Sequence, residues 1–157
     1  MKNIVLFGSI LFASGLLMTN LYNSLIDAKS WGSDIPRSIE AAREYYKSVN
    51  LGNFYRIFSP INQVLSLLVI VLFWRSAPAI RIDLAIALAL YISADILTFV
   101  YFYPRNEIMF RTAQLTDVET LRNAWKEWNM MNWVRTSIVF AGVIFSFLSL
   151  HKIYTLK

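Results

Sequence analysis

The chain has 157 residues, 57% of them apolar and only 16% charged, with a mean hydropathy of +0.48. A soluble domain carries about 45–50% apolar and about 25% charged residues, so this composition names a bilayer as the solvent. Cysteine is absent, which excludes disulfides, thiolate-bound zinc, iron–sulfur clusters and thiol redox chemistry, that of the four-helix quinone reductases included.

The first apolar run, residues 4–22, follows Lys2 as a secretory signal would. It lacks a small-residue cleavage pattern before Asn20, and about 19 residues at about 1.5 Å each are enough to span, so it reads as a helix. Small residues along it, Gly8, Ser9, Ala13, Ser14 and Gly15, suit close helix contact inside a bundle or across a dimer. Ser33 and Asp34 ahead of Pro36 predict a helix start. Residues 37–49 then form a short amphipathic helix, with Tyr45, Tyr46 and Val49 at the lipid interface and Arg43, Glu44 and Lys47 in water. Ser59 and Pro60 repeat the cap-plus-proline device and launch a second span over residues 61–74, extending back through Phe58 if a full crossing needs it.

Ser76, Ala77 and Pro78 start a third span that runs to Tyr103 and stops at Pro104, which cannot continue a helix with normal hydrogen bonding. Thr116 and Glu119 make a capping-box pattern. From there Trp125, Trp128, Met131 and Arg135 recur at helical spacing, so the last helix runs over residues 117–151 or bends near 129–132. Trp74, Tyr101, Phe102, Tyr103, Trp128 and Trp133 supply the aromatic belts of the two membrane surfaces. The expected fold is all-α: one domain, a four-helix transmembrane bundle with spans at about 4–23, 60–75, 79–103 and 131–151, a short amphipathic helix in the first long loop and a long last helix.

The net charge of +5 is dispersed, so a nucleic-acid surface lacks its cluster and no nucleic acid is expected as a partner. Lys2, Arg75, Arg81, Lys152 and Lys157 lie in the short segments, while the two long loops carry balanced charge. The basic residues of the short segments place both termini and the central loop on the cytoplasmic side of a bacterial inner membrane, and the long loops outside. His151 follows the last apolar stretch and reads as a surface residue, since a metal site recruits several ligands; neither a metal nor a cofactor is expected.

Polar side chains inside a span are expensive without partners, so their depth carries information. Asn20 and Asn23 end the first span on the outside, Asn62 and Gln63 begin the second there, Ser93, Asp95 and Thr98 lie in the outer part of the third, and Asn129, Asn132, Arg135 and Thr136 enter with the fourth. All four spans converge in the outer half, and the inner half is expected to be almost wholly aliphatic. Two readings stand. One is a ligand pocket at that level, with Asp95 and Arg135 as its only deep charges and its candidate catalytic groups. The other is a structural ion pair of those two, with the amides as packing glue. Trp125 and Trp128 are open in the same way between interfacial anchoring and ligand stacking. No phosphate loop, HExxH, serine elbow or histidine pair is present to support ATP-driven, zinc or haem chemistry.

Tyr103-Pro104-Arg105-Asn106, followed by Trp128-Asn129-Met130-Met131-Asn132-Trp133-Val134-Arg135, resembles the anthrone-oxygenase-like family of small four-helix membrane proteins. Pro104, Asn106, Trp128 and Arg135 fit its motif places, and Asn132 stands where relatives often carry histidine. The resemblance implies cofactor-independent oxidation of aromatic anthrones, as for fungal members, but Asn132 binds without taking a proton, so the ligand pocket carries over more directly than the reaction. The expected ligand-binding set is Asn20, Asn62, Asp95, Tyr103, Asn106, Trp128, Asn132 and Arg135, around a small lipophilic, partly polar molecule. The alternative function is a non-catalytic accessory or structural subunit, its lipid-facing helices docked in a homo-oligomer or a larger membrane complex. A transporter is disfavoured by the lack of a polar path through the inner half.

Overall fold

The protein is described from a computed structural model in which residues 2–49, 51–111 and 117–155 are placed. Those residues form five helices and no strand: α1 (Lys2–Trp31), α2 (Arg37–Tyr46), α3 (Leu51–Leu72), α4 (Pro78–Arg111) and α5 (Val118–Thr155). All but α2 are long and apolar enough to cross a bilayer, and the protein is a multi-pass membrane protein. The four long helices form a ring, α1 against α3 and α5, α4 against α3 and α5. An even number of crossings returns the chain to its starting face, and Asn3 Nδ2 donates to the Tyr154 hydroxyl at 3.3 Å where the two terminal helices meet.

Three of the four prolines behave differently from a simple start or stop signal. Only Pro78 opens its helix as expected, after an extended Ala77 at φ −52°, ψ 143°. Pro36 sits one residue ahead of α2, with the helix entry made instead by backbone bonds from Ser38 to Asp34 and Glu40 to Pro36. Pro60 lies inside α3, which begins nine residues earlier at Leu51, so Ser59 is no cap and its hydroxyl is free for other work. Pro104 does not end α4 either. A π-turn over Thr98–Phe102 shifts the hydrogen-bond register just before it, so Pro104 falls in the first turn of the next α-helical segment, where a missing N–H costs nothing. A second π-turn, Asn23–Asp27, carries α1 on to Trp31, through what reads in sequence as the start of a loop. The first turn of α5 is capped by Asp117, whose carboxylate accepts from the Glu119 and Thr120 N–H groups at 3.2 Å each and is held below the usual carboxylate range by the Thr120 hydroxyl first and then by these bonds. Thr116, the expected cap, lies outside the described residues.

The 38 residues of α5 form one unbroken helix of about 57 Å, against about 30 Å of hydrocarbon, so the end away from the termini projects. That projection is packed into a roof with its own core of Ala28, Trp31, Ile39, Phe102, Met109, Leu121, Ala124 and Trp128. Trp31 meets Phe110 and Trp128 edge-on with ring centroids at 4.9 Å. Phe102 and Trp128, expected in an interfacial belt, are 0% and 3% exposed and belong to this core, whereas Trp74, Tyr103 and Trp133 stay exposed. Helix α2 lies on the roof through Ile39 and Tyr46, and Arg43, expected in water, donates to the Met109 and Ile108 carbonyls at 2.7 and 3.3 Å. Outside the hydrocarbon the hydrophobic effect operates fully, and each large side chain buried there stabilises by about 1.5–3 kcal/mol.

Inside the bilayer, lipid is as apolar as leucine, so packing and polar cross-links hold the helices instead. Two further layers follow, one around Ala13, Leu17, Ala87, Tyr91 and Val139, one around Leu6, Ile10, Val69, Phe73 and Leu84. The terminal half is not wholly aliphatic. Ser9 bonds Ser66 at 3.1 Å, Tyr91 bonds Ser146 at 3.0 Å, and Asp83, 5% exposed, pairs with Lys152 at 2.6 Å. Ser9 and Ala13 face the bundle interior, while Gly8 and Gly15 have open space where a Cβ would stand.

Candidate functional site

The roof and the upper bundle enclose a cavity of about 340 Å³, within the range of small-molecule sites. Trp31 from α1, Tyr46 from α2, Tyr55 from α3, Tyr103 and Phe110 from α4 and Trp128 from α5 give it aromatic walls. Arg135 forms its floor. Below lies a second cavity of about 20 Å³ lined by Asn20, Ser59, Asn62, Asp95 and others; Tyr55, Thr98 and Arg135 border both.

Arg135 is 5% exposed and tightly oriented. Its Nη2 donates to Asn132 Oδ1 at 2.5 Å and its Nη1 to Thr98 Oγ1 at 3.2 Å, and its guanidinium lies 4.1 Å from the Phe102 ring centroid, with Tyr55 at 5.3 Å and Trp128 at 5.9 Å. Its Nε has no hydrogen-bond partner among the described residues. Asn132, fully buried one turn away, holds it. The amide Nδ2 donates to Asn20 O at 3.2 Å and Ser24 Oγ at 2.6 Å, locking α5 onto α1 while the amide oxygen fixes the guanidinium. Two of the three π-turns among the described residues begin beside this network, at Asn23 and Thr98, and the third, Glu107–Arg111, ends α4 at the larger cavity; π-turns are associated with functional sites.

Asp95 does not pair with Arg135: no ion pair joins them, although they border the same small cavity. Its carboxylate is taken up by α3: the single Ser59 hydroxyl proton is shared between its two oxygens, each 2.6 Å from Oγ, and Gln63 Nε2 donates to one of them. Tyr55 is held between Asn23, which donates to its hydroxyl at 2.7 Å, and Asn20 Oδ1, which accepts from it at 3.2 Å. Asn23 Oδ1 and Asn62 Oδ1, on residues that line the larger and the smaller cavity respectively, are buried without partners among the described residues.

Of the sequence-predicted set, Tyr103, Asn106, Trp128 and Arg135 line the larger cavity, and Asn20, Asn62, Asp95 and Arg135 the smaller. Asn132 lines neither and positions Arg135. Ser93 points outward, its hydroxyl turned back to Ala89 O. Trp128 donates its indole N–H to Asn106 Oδ1 at 2.9 Å, and Trp125 donates to Ala28 O at 2.6 Å, so both tryptophans are tied into the roof rather than anchored at an interface. Tyr55, Trp31, Phe110 and the basic Arg43, Lys47, Arg56 and Arg111 complete the larger cavity. Tyr55 had a signal: with Ser59, Asn62 and Ser66 it makes a polar stripe at helical spacing, visible once α3 is extended back past Pro60.

Fold and site together define an all-α, multi-pass membrane protein with an aromatic-walled cavity and a buried arginine at its floor. The anthrone oxygenase family profile matches residues 51–145, more than half of the chain, and the protein belongs to that family. The match covers Pro104, Asn106, Trp128, Asn132 and Arg135 and stops short of α1 and α2, which bring Asn20, Asn23, Trp31, Arg43 and Tyr46 to the site. No curated protein and no solved structure matches the chain.

Proposed function

We propose that this protein binds a small lipophilic, partly polar molecule in the roofed cavity and acts on it as an oxidoreductase of the anthrone oxygenase kind. The observation that carries this reading is the cavity itself: flat aromatic walls suited to a fused-ring ligand, with a held guanidinium at the one place where a ketone or enolate oxygen would need a partner. Oxidation of an anthrone converts its ring CH₂ to a carbonyl, one O₂ supplying the new oxygen and leaving as water with the two hydrogens removed. A proton must first leave that CH₂. His151 lies exposed near the terminal end, so the groups at hand are the Asp95 carboxylate in the lower cavity and the Tyr55 hydroxyl between the two. Arg135 would stabilise the enolate as it forms. On this reading the roof faces the outer side of a bacterial inner membrane, with the termini cytoplasmic.

The test uses the protein in phosphatidylcholine nanodiscs with anthrone, following oxygen uptake and anthraquinone formation against empty discs. A protein-dependent rate that Arg135→Leu abolishes supports the proposal. Anthrone that neither binds nor reacts faster than with empty discs removes it, and stable co-purification of a second protein over the roof would favour the accessory-subunit reading instead.

A further inference from the structure

A buried guanidinium without a carboxylate in contact is expensive, because the charge has left water and no touching anion replaces the lost hydration. Arg135 is in that position. Its hydrogen bonds go to neutral oxygens of Asn132 and Thr98, its Nε donates to nothing among the described residues, and Asp95, the one acid near it, is engaged by Ser59 and Gln63. The rim above repeats the imbalance. Arg43, Lys47, Arg56 and Arg111 line the same cavity as Arg135, against a single acidic residue, Glu107. Lys47 and Arg111 are drawn partly toward Glu44 and Glu107 at 2.5 and 3.8 Å, both exposed pairs that solvent screens, whereas Arg56 has no ion pair among the described residues. Aromatic faces soften a cation but do not neutralise it. Among the described residues no carboxylate contacts Arg135, and Asp95 acts on it only from across the small cavity.

We infer that the ligand of this cavity is an anion: a flat aromatic acid whose carboxylate or phenolate oxygen meets Arg135, drawn in by the basic rim. The inference rests on the binding site proposed above and specifies its charge. A planar oxyanion suits the guanidinium, which offers donors in its own plane while Phe102 covers one face. The aromatic walls favour fused rings over a phospholipid headgroup, which would bring the same charge without a face to stack.

The experiment compares anthracene-2-carboxylate with the uncharged anthracene-2-carboxamide by quenching of tryptophan fluorescence, in phosphatidylcholine nanodiscs corrected for empty discs. The acid is expected to bind about 10- to 100-fold more tightly, the scale of one charge-assisted contact. Arg135→Gln erases the difference, Arg135→Lys retains part of it, and Asp95→Asn, which removes a competing negative charge, tightens the acid severalfold. The preference for acid over amide in the unaltered protein, and its weakening by salt, requires no variant to fold. If acid and amide bind equally, the charge assignment is wrong and the cavity reading stands. If neither binds, both are wrong. If phosphatidylglycerol in the discs displaces the acid at low mole fraction, the site is a headgroup site and the aromatic-acid assignment is overturned.

Discussion

Replacing Asn132 by leucine, which keeps its branched heavy-atom skeleton but with larger methyl groups, should cost at least about 3–4 kcal/mol of bundle stability without opening any cavity. The magnitude comes from what the amide does. It makes one bond to a charged group, accepting from Arg135 at 2.5 Å, and two neutral ones, donating to Asn20 O at 3.2 Å and Ser24 Oγ at 2.6 Å. A hydrogen bond to a charged partner contributes about 1.5–3 kcal/mol. Neutral interhelical bonds in membranes average about 0.6 kcal/mol, because helices separated in lipid find other partners. The charged bond therefore dominates the sum. Asn132→Asp, which keeps an acceptor for Arg135 and gives up the donors, should lose much less than leucine. Equilibrium unfolding in mixed detergent–SDS micelles measures the series, with Ser137→Ala as an exposed control expected within about 0.5 kcal/mol of the parent. A leucine variant that loses less than about 1 kcal/mol, or an aspartate variant that loses as much as leucine, would refute the account of Asn132 as the clamp on Arg135.

Three other perturbations address separate parts of the structure. A Cβ on Gly32 would stand 2.1 Å from Cζ2 of Trp125, whose indole donates to Ala28 O, so Gly32→Ala should displace that ring. The expected cost is about 1–3 kcal/mol, read by unfolding and by a red shift of tryptophan emission; an unchanged spectrum would place Trp125 elsewhere. For the pair at the terminal end, Lys152→Leu should destabilise more than Asp83→Leu, since a lone Lys152, its side chain 32% exposed, can reach water whereas a lone Asp83, its side chain 7% exposed, cannot. The double variant should recover most of the loss, and equal single effects would argue against the pair. Burial, and after it the Asp27 charge, pushes the Tyr46 phenol up from 10 to about 12. The neutral form is the one the fold favours, so its contribution is complete below pH 10 and is lost as pH rises through 12. Tyrosinate absorbance should show a late-titrating fraction that Tyr46→Phe reduces by one tyrosine.

How far the helices could be read from the residues depended on what each signal measures. Hydropathy senses burial in lipid, and it located all four crossings. Proline senses a local hydrogen-bond register, and it misled wherever that register was not α. At Pro104 the preceding π-turn had already released the bond that proline lacks. No residue pattern announces a π-turn, because its cause is tertiary: the extra residue in Thr98–Phe102 brings Thr98 to Arg135 while Phe102 enters the roof core. The same holds at Asn23–Asp27, where the chain looks polar enough for a loop yet stays helical to deliver Trp31 to the roof.

The common depth of the polar residues was legible from helix length alone, since rise per residue converts position into height. Which polar residues face one another was not, because that depends on rotation about each axis, and α3 shows the difference. Reading Pro60 as a start discarded Tyr55 and assigned Ser59 to capping. With the helix begun at Leu51, Tyr55, Ser59 and Asn62 fall on one face, and that face supplies the partners of Asn20, Asn23 and Asp95. Once Ser59 and Gln63 take Asp95, it is no longer in contact with the arginine that sequence depth had set beside it. That no carboxylate touches Arg135 thus follows from where α3 begins, and on the proposal made above it is this charge, more than any single motif residue, that selects what the cavity holds.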